Sequence, residues 1–204
     1  MKRHLILFVI FTCVSLTLSA HGFYLDFGPG AGKAWTTING YDVAKTFKID
    51  ETTLNDMPAI DLSFRVGGGP IGYAPVYIIG EIEGMVQRFS NDHNFFLFNT
   101  YMIGPGIIVY PIPLLQLGFS AGLSFTSNKS NIPNDNTFQS QGGVAFNVTA
   151  AVDIGKRNHG CLIGVKYFCA YNILETSNAE EINSMVCGFI KYALHTGKGR
   201  FHYK

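Results

Sequence analysis

The chain has 204 residues, 15 basic and 14 acidic side chains for a formal charge of +1, 47% hydrophobic residues, 14% aromatics and 23 glycines. A near-neutral chain with no basic cluster larger than Lys156-Arg157 excludes a nucleic-acid binder. A spanning helix needs roughly 20 unbroken apolar residues. Beyond the N-terminus the nearest run, Ile103 to Leu117, is interrupted by Gly104, Pro105, Gly106, Pro111 and Pro113.

Residues 1–20 have the pattern of an export signal. Lys2, Arg3 and His4 precede an apolar run from Leu5 to Phe11 that weakens toward Leu18, and Ser19-Ala20 suit cleavage. Cleavage after Ala20 removes two basic residues and leaves 13 basic and 14 acidic groups, a formal charge of −1, in a single domain over 21–204. Cleavage before Cys13, as for a lipoprotein, would leave a very short apolar run behind a poor Phe11-Thr12 lead-in. Cys161, Cys169 and Cys187 remain, an odd number that is no disulfide framework; Cys169 and Cys187 are the pair to consider.

Strict alternation then predicts strands. The first covers Gly22 to Gly30, with Phe23, Leu25 and Phe27 on one face and Tyr24, Asp26 and Gly28 on the other. A long connection, Ala31 to Pro58, follows. The second strand runs from Ala59 to about Gly68, with Ile60, Leu62, Phe64 and Val66 against Asp61, Ser63, Arg65 and Gly67, and ends at the Gly69-Pro70-Ile71-Gly72 turn. The third runs from Ala74 to Arg88, with Glu81 and Glu83 on one face. The fourth covers Phe95 to Val109 and ends in a turn at Tyr110-Pro111-Ile112-Pro113; aromatics on both its faces suggest a site near a membrane rim.

The clearest alternation follows. Leu115, Leu117, Phe119, Ala121, Leu123 and Phe125 alternate with Gln116, Gly118, Ser120, Gly122, Ser124 and Thr126. After the polar link Ser127 to Gln141, Val144, Phe146, Val148, Ala150, Val152 and Ile154 alternate with Gly143, Ala145, Asn147, Thr149, Ala151 and Asp153. The seventh strand is Cys161 to about Tyr171, with Lys166 opposite the bulky face. A polar link, Leu174 to Asn183, leads to the eighth, Ser184 to about His195, with Lys191 opposite its apolar face.

Eight strands predict an all-β fold, an antiparallel up-and-down barrel. The odd-numbered connections are mostly longer than the even ones, as in membrane barrels with short periplasmic turns and longer outer loops. Asp26, Asp61, Arg65, Glu81, Glu83, Asp153, Lys166 and Lys191 all fall on the small or polar faces. An eight-stranded interior is just wide enough to be filled by side chains. A soluble barrel, binding a small apolar ligand in the periplasm, would turn the bulky faces inward. A transmembrane barrel would enclose the eight charges as a lumen network and turn Leu117, Phe119, Leu123, Phe125, Phe146, Val148 and Val152 toward lipid. The Gly, Ala, Ser and Thr of the polar faces suit a narrow interior, and a closed sheet satisfies its own backbone in lipid, so the transmembrane reading is preferred. Tyr24, Tyr77, Tyr101, Tyr110, Tyr171 and Tyr192 near strand ends fit either an aromatic girdle or core filling.

With its glycine-rich first strand, Phe23-Tyr24-Leu25-Asp26-Phe27-Gly28-Pro29-Gly30, and segments such as Gly118-Phe119-Ser120-Ala121-Gly122-Leu123-Ser124-Phe125, the chain from Gly22 to His195 resembles the small eight-stranded outer-membrane barrels, the opacity-type and outer-membrane-protein-W-like families. The resemblance implies a cell outer-membrane location and a structural, porin-like or cell-surface role, with a narrow channel for small apolar solutes as one form of it. It implies outer-membrane lipids and the barrel assembly machinery as partners. Such barrels commonly end in a strand closing on an aromatic residue; here the chain ends Tyr203-Lys204.

No residue pattern points to catalysis, a metal or a cofactor. His21, His93, His159, His195 and His202 lack metal-pair spacing, and Asp92-His93 near Ser90 is an unspecific neighbourhood for nucleophilic chemistry. Glu81 and Glu83 could form an acid–base pair; a buried salt network with Arg65 is the plainer expectation, which makes Arg65→Ala a candidate for misassembly. Gly28, Gly30 and Gly32 before Lys33 complete neither a dinucleotide nor a P-loop pattern. Asn147-Val148-Thr149 fits a glycosylation sequon inside a strand.

Overall fold

The structure is a computed structural model that describes residues 22–46, 48–49, 52–53, 55–71, 75–90, 95–131, 139–155, 158–175 and 177–196. The expected signal with Cys13, the Asp92-His93 pair, Lys156-Arg157 and the Tyr203-Lys204 end lie outside the described residues. Eight long strands follow one another: β1 Phe23–Ile38, β2 Ala59–Gly68, β3 Val76–Ser90, β4 Phe95–Ile112, β5 Leu115–Thr126, β6 Ser140–Asp153, β7 His159–Leu174 and β8 Glu180–His195. Each pairs antiparallel with its sequence neighbours, and β8 pairs with β1, so the meander closes into a ring. Closure leaves no long strand with an open edge.

The ring is staggered. Stepping through paired residues, Ile38 leads to Glu181, Asn172, Gly143, Ser124, Met102, Glu83 and Ser63 and returns to β1 at Gly28, ten residues below its start. A stagger of ten over eight strands tilts the strands by about 40° from the axis. The end where β1 begins is called the lower end below.

Side chains sort by alternation. Leu117, Phe119, Leu123, Phe125, Phe146, Val148 and Val152 point outward and are 38–50% exposed, while Asp26, Asp61, Arg65, Glu81, Glu83, Asp153, Lys166 and Lys191 point inward and are at most 2% exposed. A water-soluble barrel has the reverse arrangement. Along β1 the outward residues Phe23, Leu25, Phe27, Pro29 and Ala31 precede Lys33. Those ten residues rise about 25 Å at this tilt, the height of a membrane barrel's apolar band.

Several boundaries differ from the sequence reading. β1 continues through Lys33, Trp35, Thr36 and Thr37 to Ile38 because β8 begins at Glu180, and Val186 to Glu181 pair with Lys33 to Ile38. The first and seventh connections shrink to 39–58 and 175–179, so only two upper links, 39–58 and 127–139, exceed the lower ones. β3 runs from Val76 to Ser90, not from Ala74 to Arg88. β4 runs on through Tyr110, Pro111 and Ile112, and the turn is Pro113-Leu114. The six tyrosines divide: Tyr101, Tyr171 and Tyr192 point outward, whereas Tyr24, Tyr77 and Tyr110 are buried inside.

The upper end has one irregularity. β2 stops at Ala59 while its neighbours continue to Ile38 and Ser90. Gln87 bridges the gap, its Nε2 donating to the Ala34 carbonyl at 3.0 Å and its Oε1 accepting from Thr36 Oγ1 at 2.8 Å. Tyr41–Asp42 pairs back onto β1, and a helical turn, Val43–Thr46, sets Val43 against Phe89 and Phe98.

Candidate functional site: the enclosed interior

Stagger and tilt stack the inward side chains in layers. The floor is aromatic: Tyr24 lies 5.3 Å from Tyr77 and Tyr77 5.9 Å from Tyr110, ring centre to ring centre, with Ile79 and Ile108 completing the cluster. Gln116 Nε2 donates to the hydroxyls of Tyr24 (2.7 Å) and Tyr110 (2.8 Å). Beside them His195 Nε2 is 2.9 Å from Asp153 Oδ2. A Cβ on Gly160 would sit 2.2 Å from Asp153 Oδ1, so that glycine leaves the carboxylate its place.

Two charged layers lie above the floor. In the lower, Arg65 Nε donates to both Asp26 oxygens at 3.0 and 2.8 Å, and Nη2 lies 2.8 Å from Oδ2. The guanidinium also reaches the far wall, donating to Gln116 Oε1 at 3.0 Å and Thr149 Oγ1 at 3.2 Å. A Cβ on Gly118 would lie 2.9 Å from Arg65 Nη1 and 2.4 Å from Thr149 Oγ1, so this crossing needs a glycine there. Tyr24 donates its hydroxyl to Asp26. Lys191 Nζ is 3.5 Å from Asp26 Oδ1 and 4.9 Å from the Phe189 ring centre. In the upper layer, Lys166 crosses from β7 to Asp61 (2.5 Å) and Glu83 (2.9 Å), and Asn147 donates to Glu83.

Above the charges is an apolar layer of Met85, Met102, Met185, Phe168 and small residues including Ala34, Ala59, Ala145 and Ala170. The upper mouth is polar again. Asn183 donates to Glu181 at 2.5 Å, Asn128 does so at 2.6 Å, and Thr36 donates to Asn183 at 2.7 Å.

The pairing differs from the sequence expectation at one point. Arg65 takes Asp26, not Glu81 or Glu83. Glu83 goes to Lys166, and neither oxygen of Glu81 accepts a hydrogen bond among the described residues. Asp26, Arg65 and Glu81 share one row of the ladder, but Arg65 has a bidentate partner in Asp26, which satisfies its planar fork. The sequence reading left Gln116, Thr149, Asn147, Tyr24, Tyr110 and His195 out of the interior network. For all but Tyr110, which it put in a turn and which lies within β4, the signal was present, since each is a polar-tipped residue on the small face of its strand.

The remaining residues of interest separate. Cys169 faces outward, receiving a contact from Ser184 Oγ at 3.5 Å, and Cys187 faces inward, so the sheet stands between them. Gly28, Gly30 and Gly32 lie in β1 against β2 and β8 rather than in a phosphate loop. Asn147 of the sequon is buried in the interior. Ser90 Oγ is 3.7 Å from Met57 Sδ.

No family model and no curated protein matches the chain. Among solved structures it is similar to Ail, the attachment invasion locus protein of Yersinia pestis, with TM-score 0.51 and 13% identity over 84% of this chain and 99% of that one. Ail in complex with the heparin analogue sucrose octasulfate gives TM-score 0.50 and 13% identity, covering 83% and 97%. Neisserial surface protein A gives TM-score 0.46 and 15% identity, covering 82% and 95%. At such identities the likeness is one of fold, and with the outward apolar band and enclosed charges it leads to one statement: the chain has the fold of the small eight-stranded outer-membrane barrels.

Proposed function

We propose that the protein is an outer-membrane barrel with a closed interior, acting as a structural or surface-presenting element. The observation that carries this reading is that Arg65 of β2 and Lys166 of β7 both cross the interior, Arg65 ending on Asp26, Gln116 and Thr149 and Lys166 on Asp61 and Glu83. A small apolar solute would have to break the Arg65–Asp26 pair and the Lys166–Asp61–Glu83 cluster to pass. Desolvated charge is also the worst surface for such a solute, so a channel role is disfavoured. A periplasmic ligand barrel is disfavoured more strongly, because Phe119, Leu123, Phe146 and Val148 would face water. In this reading outer-membrane lipids surround the band, and the barrel assembly machinery inserts it.

Cell fractionation combined with heat-modifiable gel mobility tests the location. The mature protein is expected in the outer-membrane fraction, released only by detergent, and recovery from an aqueous wash would overturn the reading. Planar bilayers test closure separately. The folded protein is expected to give no steady conductance, and a steady open level would remove the closed-interior part while leaving the location intact.

A further inference from the structure

Three of the chain's five methionines share one layer of the interior. Met85 of β3, Met102 of β4 and Met185 of β8 are 0–1% exposed. Met185 shares a row of the ladder with Ala34 and Phe168. Met102 shares one with Glu83, which precedes Met85 by two residues on β3. Each step round the ring from β1 toward β8 lowers a row by about one and a quarter residues, which follows from the ten-residue stagger. On that count the three methionines and Phe168 lie within roughly 3 Å of one height. β4 and β8 stand on opposite walls, four strands apart either way round the ring, so the thioethers come toward the axis from both sides.

The rest of the layer makes room for them. Its other members are Phe168, Cys187 and the alanines Ala34, Ala59, Ala145 and Ala170. The cluster contains no leucine, isoleucine or valine, although the outward face is built largely of them. Those residues would supply bulk and apolarity equally well. Methionine adds a soft, polarisable sulfur on a flexible stem.

The donor set decides the class of ion. Among the described residues no three His, Cys, Asp or Glu side chains group as a metal site, so zinc, calcium and magnesium have no cage. Thioethers select soft ions instead. The buried residues also tolerate an added positive charge: six carboxylates, from Asp26 to Glu181, stand against Arg65, Lys166, Lys191 and His195. The polar upper mouth, with Glu181, is the nearer opening. We propose that Met85, Met102 and Met185 form a three-thioether site for a soft monovalent metal ion of the copper(I) or silver(I) class. The site adds to the closed barrel proposed above and does not need the interior to conduct.

Silver is the probe because, unlike copper(I), it needs no reductant. Thiols also bind silver, so the background is the full chain carrying Cys13→Ala, Cys161→Ala, Cys169→Ala and Cys187→Ala. This chain is refolded into phosphatidylcholine vesicles with silver nitrate in chloride-free buffer, and unbound silver is removed by gel filtration. One silver ion is expected to stay with each heat-modifiable barrel. It should also raise the urea midpoint, since a ligand held by the folded state alone stabilises that state. Removing even an outer partner of a metal's ligands costs roughly 10- to 100-fold in affinity. Each of Met85→Leu, Met102→Leu and Met185→Leu should therefore weaken silver binding by at least about tenfold. These swaps conserve volume and should leave the fold intact; where one does not fold, the other two carry the same readout. Met57→Leu, at an exposed methionine outside the layer, should change nothing. Folded barrels that retain no silver would overturn the proposal and leave the methionines as filler. So would silver that survives the three substitutions together, or a loss on Met57→Leu equal to theirs. Either result, with no steady conductance, would leave the closed-barrel reading standing.

Discussion

Arg65 shows how much one side chain can organise in a narrow barrel. It is 1% exposed and binds Asp26, Gln116 and Thr149, which come from three other strands. Truncating one member of a buried pair leaves the other charge without compensation, which costs about 3–5 kcal/mol. Arg65→Ala is therefore expected to lower the urea midpoint of the barrel in lipid vesicles, read by the fraction of heat-modifiable protein. Asp26 also faces Lys191 at 3.5 Å, so Arg65→Met with Asp26→Leu and Lys191→Met, which removes all three charges, should recover most of that loss. If the triple variant unfolds as easily as the single one, the cluster is not what holds these strands. Cys187 offers a second residue-scale check. It is 2% exposed inside the barrel, so a polar maleimide should modify it only after the barrel is unfolded. Labelling in the folded state would show an interior open to water.

At the scale of the strand, alternation determines the outcome of a substitution more than its chemistry does. β5 places Phe119 outward near mid-band and Leu115 at the lower edge of the ring. An arginine at the mid-plane of a lipid face costs about 2–4 kcal/mol and near an interface about 0–1 kcal/mol. Phe119→Arg should thus destabilise the barrel clearly in vesicle unfolding, and Leu115→Arg should barely do so; equal effects would contradict the outward apolar band. The alternation itself was legible in the sequence for every strand but β4, whose Phe95, Phe96, Leu97 and Phe98 are apolar on both faces, and β2 and β5 have the expected limits. Strand ends were less legible. Residues 31–38 and 180–183 read as polar linkers because Lys33, Thr36, Thr37, Glu180, Glu181 and Asn183 are hydrophilic. They are strand because each segment supplies the other's ladder partners, information that lies about 150 residues away in the chain.

For the whole molecule, closure sets what is accessible. Protease added to intact cells should cut within 39–58 and 127–139, the two long upper links, and leave the Pro113-Leu114 turn untouched. Cleavage at 113–114 before lysis would invert the orientation. The layered interior, from tyrosine floor through two charged layers to a methionine layer and a polar mouth, is a property of the ring and of no single strand. Tyr24, Tyr77 and Tyr110 illustrate this. Their positions near strand ends suited a girdle equally well, and their inward parity, combined with the stagger, makes them a floor.

Period-two patterning by itself determined that this chain forms eight strands with one bulky and one small or charged face, because a strand's side-chain direction is a local property of the backbone. Which carboxylate meets Arg65, which wall Lys166 reaches, and where β2 leaves a gap were decided only by the closed tertiary structure. Those contacts depend on the ten-residue stagger of the ring, and the stagger is a sum over eight pairings that no local stretch contains.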